Sequence, residues 1–420
     1  MTDLDDRPKS TARVAATAIV LRLGVTALRG ALVFIVARNT DTDFAGDYFS
    51  IARIVALTSI ACGMEMFQVV TRRMVDSPVD AGAWLRWQLR TTMIRSVVAA
   101  VLLGLATKFG WLTNTSALAV GVLVFTDGLA SDVGRWLLTT GRVSTSNAYM
   151  LVRTAAWTIP VGAWLAIAPE SLTIVEVLWS WSAANLLVTA AWAWCYRCDL
   201  ATQHSPSKSE RTQAFKEGRA LFSATAAVLV IEAFPILVAQ PLESRDLAAI
   251  GLYLSLGSLV QTVVSTAVWQ PAMRALACAT NGTSAARQIT QRIMLWGAAA
   301  VLGSVVAAGV IAYASSSDAY ARNWLSGSTI MGAQILWIIG LSGQARLYSA
   351  RRDFTSSAIA WTGAAIGLVV MVLLGRTTPE RICIAYLIAH IALACGRWLV
   401  VTRIERNSSN VTETRMGGAA

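Results

Sequence analysis

The stretch from Val14 to Ala37 is long and apolar, yet it carries two arginines, Arg22 and Arg29, in its middle. Its 24 residues extend about 36 Å as a helix at 1.5 Å rise per residue, enough to cross a hydrocarbon core about 30 Å thick with some tilt. A guanidinium keeps its proton, and at the bilayer centre it costs about 2.5–3.5 kcal/mol on insertion scales, so it faces a protein interior or an aqueous cavity. Seven residues make nearly two turns, which puts both arginines on one face about 10 Å apart, with Thr26 and Gly30 beside the same stripe. The second apolar stretch adds Arg53, and the fourth adds Asp127, Asp132 and Arg135. These residues together predict a charged chamber enclosed by lipid-compatible helices. Arginines near a helix end reach the phosphate headgroups instead. Arg22 and Arg29 lie too deep for that escape, and pairing with Asp127 or Asp132 is compatible with the chamber.

Hydropathy extends the argument along the chain. Apolar residues make up 55% of the sequence and charged ones 14%, against about 25% charged residues in soluble globular proteins. Apolar runs fall near 14–37, 48–70, 93–112, 117–139, 148–168 and 172–194, and then near 220–240, 247–270, 293–313, 326–345, 355–375 and 382–402. This predicts an all-α polytopic membrane protein with about twelve spans in two six-helix bundles, 14–196 and 220–402. Residues 1–13 read as a cytoplasmic tail, the polar stretch 197–219 as a flexible cytoplasmic linker, and 403–420 as a disordered tail. The first run is too long for a signal-peptide core, and the N-terminus is expected to remain uncleaved.

The distribution of basic residues tests the span count. With the N-terminus inside, inner segments collect 26 Lys and Arg and outer segments six, while Arg22, Arg29 and Arg53 lie within spans. That asymmetry places both termini and the linker in the cytoplasm, and the chain in a cytoplasmic (inner) membrane. The net charge of +11 is thus spread over short loops, which argues against a nucleic-acid-binding face. Six scattered cysteines form no disulfide pattern.

The two halves carry a faint repeat. Gly46-Asp47-Tyr48-Phe49-Ser50 opens the second span, and Gly251-Leu252-Tyr253-Leu254-Ser255 opens the eighth, 205 residues later. Each follows a short acidic loop. A duplicated six-helix unit with an even number of spans keeps its orientation, so the halves are related by an axis along the membrane normal.

Twelve spans divided six and six, the arginine-bearing first helix, and the Gly-x-Tyr opening of spans two and eight resemble the polysaccharide-transporter flippases. These are the O-antigen and repeat-unit flippases of the multidrug, oligosaccharidyl-lipid and polysaccharide exporter superfamily. The resemblance covers nearly the whole chain and rests on architecture rather than invariant residues. It implies a flippase that carries an undecaprenyl-pyrophosphate-linked oligosaccharide between leaflets by alternating access, with a polysaccharide polymerase and glycosyltransferases as partners.

Such cargo has distinct demands. Arg22, Arg29 and Arg53 suit a pyrophosphate, because guanidinium presents a planar fork to phosphate oxygens; Arg53 is also shallow enough for headgroup contact. Trp269 and Trp361 are the aromatic candidates for stacking on sugar. Asp127, with no local basic partner, is a counter-ion for Arg22 or Arg29, or a proton or cation site. Asp132 is expected to pair with Arg135, three residues on. Glu65 and Glu232 are further candidates for coupling, and Pro235 is positioned to kink the seventh span beside Glu232. His390 reads as a hydrogen-bonded packing residue, and Cys195-x-x-Cys198 with His204 lacks a fourth zinc ligand. No metal or cofactor is expected. The sequence contains no nucleotide-binding Gly-rich loop and no nucleophile elbow, so no enzymatic activity is expected. Two alternatives stand beside the flippase. One is a proton- or sodium-coupled drug or metabolite antiporter, for which an acid-dominated cavity would attract cationic drugs, against the three deep arginines. The other is a membrane-embedded glycan polymerase or transferase.

Overall fold

The computed structural model describes residues 7–63, 69–70, 73, 81–108, 117–197, 206–269, 272, 283–315, 317–350 and 352–417. Twelve helices of 21 residues or more run through them: α1 Arg7–Asn39, α2 Thr42–Gly63, α3 Ala81–Lys108, α4 Ala117–Thr139, α5 Val143–Ile167, α6 Ile174–Cys195, α7 Lys208–Ala239, α8 Ser244–Val264, α9 Thr283–Ala314, α10 Trp324–Ser349, α11 Asp353–Leu374 and α12 Pro379–Gly417. No strand occurs among the described residues. Eleven of these helices are long and apolar enough to cross a membrane. The remaining one, α3, carries Arg86, Arg90 and Arg95. The protein is therefore an all-α polytopic membrane protein, as its hydropathy predicts.

Helix starts explain where the boundaries depart from the hydropathy reading. Ser207 accepts a hydrogen bond from the Glu210 amide and Glu210 accepts one from the Ser207 amide, so a capping box starts α7 at Lys208. That start lies within the stretch expected to be a flexible linker. Thr173 and Glu176 form the same box at the start of α6. At the other extreme, α12 continues through the expected disordered tail to Gly417.

Helix pairing in one half is repeated in the other. Within the first half α1 packs on α5, α2 on α3 and α4, α4 on α3, α5 and α6, and α5 on α6; raising every number by six gives pairs that are all present in the second half. Across the halves α2 packs on α8, and α1–α8 is mirrored by α2–α7. The pseudo-twofold axis thus runs between α2 and α8, the helices opened by the two similar pentads. Lipid is as apolar as leucine, so helices in a membrane associate through close packing of small residues rather than through hydrophobic exclusion. The pentad glycines serve this purpose: a Cβ on Gly46 would meet the Ser244 carbonyl oxygen at 3.5 Å, and one on Gly251 would meet the Phe49 Cβ at 2.6 Å.

These contacts sit at the end of the bundle where α1 finishes and α2 begins. At that end the Ser315 hydroxyl also donates to the Ala37 carbonyl at 3.1 Å, tying the end of α9 to α1. Further along, α2 and α8 both line a cavity of about 510 Å³ between the halves.

Candidate functional site

Nine helices line the cavity, and its charged residues come from both halves: Arg29 of α1, Arg53 of α2, Asp127 and Arg135 of α4, Arg153 of α5, Glu232 of α7 and Arg397 of α12. Among the described residues, five arginines against two carboxylates leave a formal excess of three positive charges. Aromatic walls come from Tyr48, Trp157, Trp181, Trp269 and Trp337. Trp157 and Trp181 stack face to face, with centroids 4.5 Å apart and planes 8° apart, as an apolar part of the cavity wall. At the end of α8 the chain makes a π-helical turn, Ser265–Trp269, whose first and last residues both line the cavity. Turns of this kind are frequent at functional sites.

The proposed pyrophosphate arginines fall into three environments. Arg29 lines the cavity and makes no hydrogen bond or ion pair with any described residue. Arg153, Asp127 and Tyr48 lie within its electrostatic reach. Arg53 also lines the cavity but is already paired: it bonds Glu232 and donates to the Ser258 hydroxyl, while its Nε has no partner. Arg22 is not part of the lining. It is buried between α1 and α5, where its Nε donates to Asn147 Oδ1 at 2.7 Å and its Nη2 has no partner. Depth alone did not separate these cases, because the helix face also decides what a buried arginine meets.

The acids are sorted by partner. Arg153 Nη2 lies 3.7 Å from Asp127 Oδ1, so the basic residue beside Asp127 comes from α5. Asp132 is not part of the cavity lining; it is buried in the first half, where Gln88 Nε2 donates to it at 2.9 Å and Arg135 Nη1 approaches to 3.9 Å. Glu232 is the hub of a polar network in the second half. Besides Arg53, it accepts from Tyr386 Oη at 2.8 Å and Gln261 Nε2 at 2.9 Å, and His390 Nε2 lies 3.4 Å away. Gln334 links Gln261 to Tyr386 at 3.1 and 3.0 Å. Because Arg53 belongs to α2 and Glu232 to α7, this ion pair joins the two halves inside the membrane.

Of the two tryptophans singled out for sugar stacking, Trp269 lines the cavity. Trp361 is 44% exposed on α11 and donates to Ser223 Oγ at 3.0 Å, outside the lining. Glu65, Cys198 and His204 lie outside the described residues. Sequence reasoning missed Arg153 and Arg397, which it assigned to inner segments by the loop-charge tally. The first lies ten residues inside α5 and the second eighteen inside α12. Their place inside the apolar runs 148–168 and 382–402, five residues from an end as Arg53 is in its run, was the available signal. The Trp157–Trp181 stack and the Gln261–Gln334–Tyr386 network left no local trace, since their members are distant in sequence.

The sequence matches no protein-family model and no curated protein. Similar solved structures exist over nearly the full length. One, described as MATE in complex with MaL6, has TM-score 0.66 and 12% identity, covering 95% of this chain and 96% of that one. A second is a mutant of the Vibrio cholerae MATE transporter VcmN, with TM-score 0.60, 14% identity and coverage of 95% and 98%. A third is a MOP-superfamily transporter from Pyrococcus furiosus described by the reverse polarity of its binding pocket, with TM-score 0.53, 11% identity and coverage of 94% and 95%. The fold is that of MATE-type transporters of the MOP superfamily.

Proposed function

We propose that the protein is an alternating-access antiporter of drug or metabolite type whose cargo is an organic anion. The observation that carries this reading is Arg29, a cation with no partner among the described residues in a cavity where five arginines oppose two carboxylates. An unpaired guanidinium inside the membrane is costly, and an anion entering the cavity offsets that cost with charge-assisted hydrogen bonds. The stacked Trp157 and Trp181 offer a surface for an apolar or aromatic body. The volume falls in the range of about 300–1,000 Å³ typical of small-molecule sites, which favours compact cargo over a lipid-linked oligosaccharide. The MATE-like fold points the same way, and the charge of the cavity sets the sign of the substrate.

On this reading α1–α6 and α7–α12 rock about the α2–α8 contact. The excess of basic residues at the opposite end supports a closed end that faces outside and a cavity that opens toward the cytoplasm. Asp127 restrains Arg153, so an entering anion competes with this carboxylate for the guanidinium. The lipid-linked flippase is a second reading, kept because phosphate is the anion that guanidinium matches best.

The test is uptake into proteoliposomes of naphthalene-1-sulfonate against ethidium, with undecaprenyl-pyrophosphate-linked oligosaccharide as competitor. Sulfonate transport that falls at least tenfold in Arg29→Gln is the expected result. Transport of ethidium alone would overturn the anion reading. Strong competition by the lipid-linked glycan, matched by its own translocation, would favour the flippase.

A further inference from the structure

We infer that the cavity takes an anion with two separated charged ends, one held by Arg29 and Arg153 on the first half and the other by Arg397 on the second. This inference rests on the anion reading and names the class of cargo more narrowly.

Arg397 is only 5% exposed and lines the cavity. Its Nη1 donates to the neutral Gly340 carbonyl at 3.2 Å, its Nε has no partner, and no carboxylate pairs with it among the described residues. By the insertion costs that apply to Arg29, a second cation without a carboxylate partner in one cavity favours an anion of its own. The two cations are also at different depths. Arg29 lies ten residues before the end of α1, and Arg397 lies eighteen after the start of α12, at the same end of the bundle. At 1.5 Å per residue these positions are about 15 and 27 Å deep, an offset of about 12 Å; Arg153, fourteen residues before the end of α5, falls at about 21 Å. One compact anion does not reach both Arg29 and Arg397. A dianion with charges at the ends of a rigid apolar body does, and Trp269 and Trp337 of the second half line the same space. Since the two charge sites belong to different halves, such a ligand bridges them.

The experiment compares naphthalene-1-sulfonate with naphthalene-2,6-disulfonate, binding to the full-length protein in nanodiscs. The expected result is at least tenfold tighter binding of the disulfonate. Arg397→Gln is expected to erase that preference, weakening the disulfonate at least tenfold more than the monosulfonate, and Arg397→Lys to restore part of it. Arg29→Gln is expected to weaken both ligands. Equal affinities in the wild type would overturn the two-ended cargo, as would an Arg397→Gln variant that still prefers the disulfonate. Equal weakening of both ligands by Arg397→Gln, with no recovery in Arg397→Lys, would assign Arg397 a structural role against Gly340 and also overturn the inference. In all three cases monosulfonate binding that depends on Arg29 leaves the anion reading standing. If neither sulfonate binds while ethidium does, the underlying reading fails instead.

Discussion

Each buried charge in this protein is defined by what faces it. Arg53 and Glu232 answer one another across the halves, Asp132 is held inside the first half, and Arg29 is left for a ligand. Removing one member of a buried ion pair costs about 3–5 kcal/mol, because the other charge stays buried without compensation, whereas replacing both by apolar residues costs much less. Glu232→Ala is therefore expected to lower thermal stability in detergent strongly, and Arg53→Met combined with Glu232→Leu to recover most of the loss. Failure of the double variant to recover would mean that Tyr386, Gln261 and His390 need the carboxylate more than Arg53 does. At Asp127 the expected effect on binding has the opposite sign. Asp127→Asn releases Arg153 and is expected to tighten naphthalene-1-sulfonate binding about tenfold, or 1.4 kcal/mol, measured by titration at pH 7; weaker binding would show that Asp127 contacts the ligand itself. Arg29 and Asp127 were legible in the sequence because their depth in an apolar run can be counted. The partners were not, since Arg53 meets Glu232 across 179 residues. Arg22 shows the limit of depth counting: it is buried on the same helix as Arg29 but faces Asn147 instead of the cavity.

At the scale of elements the central contact is α2 against α8. The pentads that open these helices hint at a duplication in the sequence, and in the fold they lie against each other across its axis. That closeness depends on glycine. A methyl at Gly251 has no room beside Phe49, and overpacking of this kind costs about 1–3 kcal/mol. Gly251→Ala is expected to loosen the closed end, so that spin labels on Thr42 and Ser244 gain a population at longer distance. An unchanged distribution would mean that α2 and α8 yield elsewhere. Number and order of helices were legible because period and hydropathy are local properties. Their ends were less so: the Ser207–Glu210 box starts α7 within a polar stretch, and hydropathy does not register a cap.

For the molecule as a whole, the charge of the cavity constrains the transport cycle. A cavity with three excess positive charges among the described residues must stay hydrated while empty, because desolvating unpaired charges costs several kcal/mol each; with its anion bound, it can close. The protein is thus expected to exchange anions far faster than it releases them. In proteoliposomes loaded with naphthalene-1-sulfonate, efflux should rise at least tenfold when the same anion is supplied on the other side. Equal rates would show that the empty cavity closes without difficulty.

The most direct measurement is equilibrium binding, in nanodiscs, of naphthalene-1-sulfonate and of a naphthyl-trimethylammonium cation of similar size. If the cavity is an anion site organised by Arg29, the sulfonate binds at least tenfold more tightly than the cation, and Arg29→Gln removes that preference. Tighter binding of the cation, unaffected by Arg29→Gln, would contradict the anion site and return the arginines to a purely structural role.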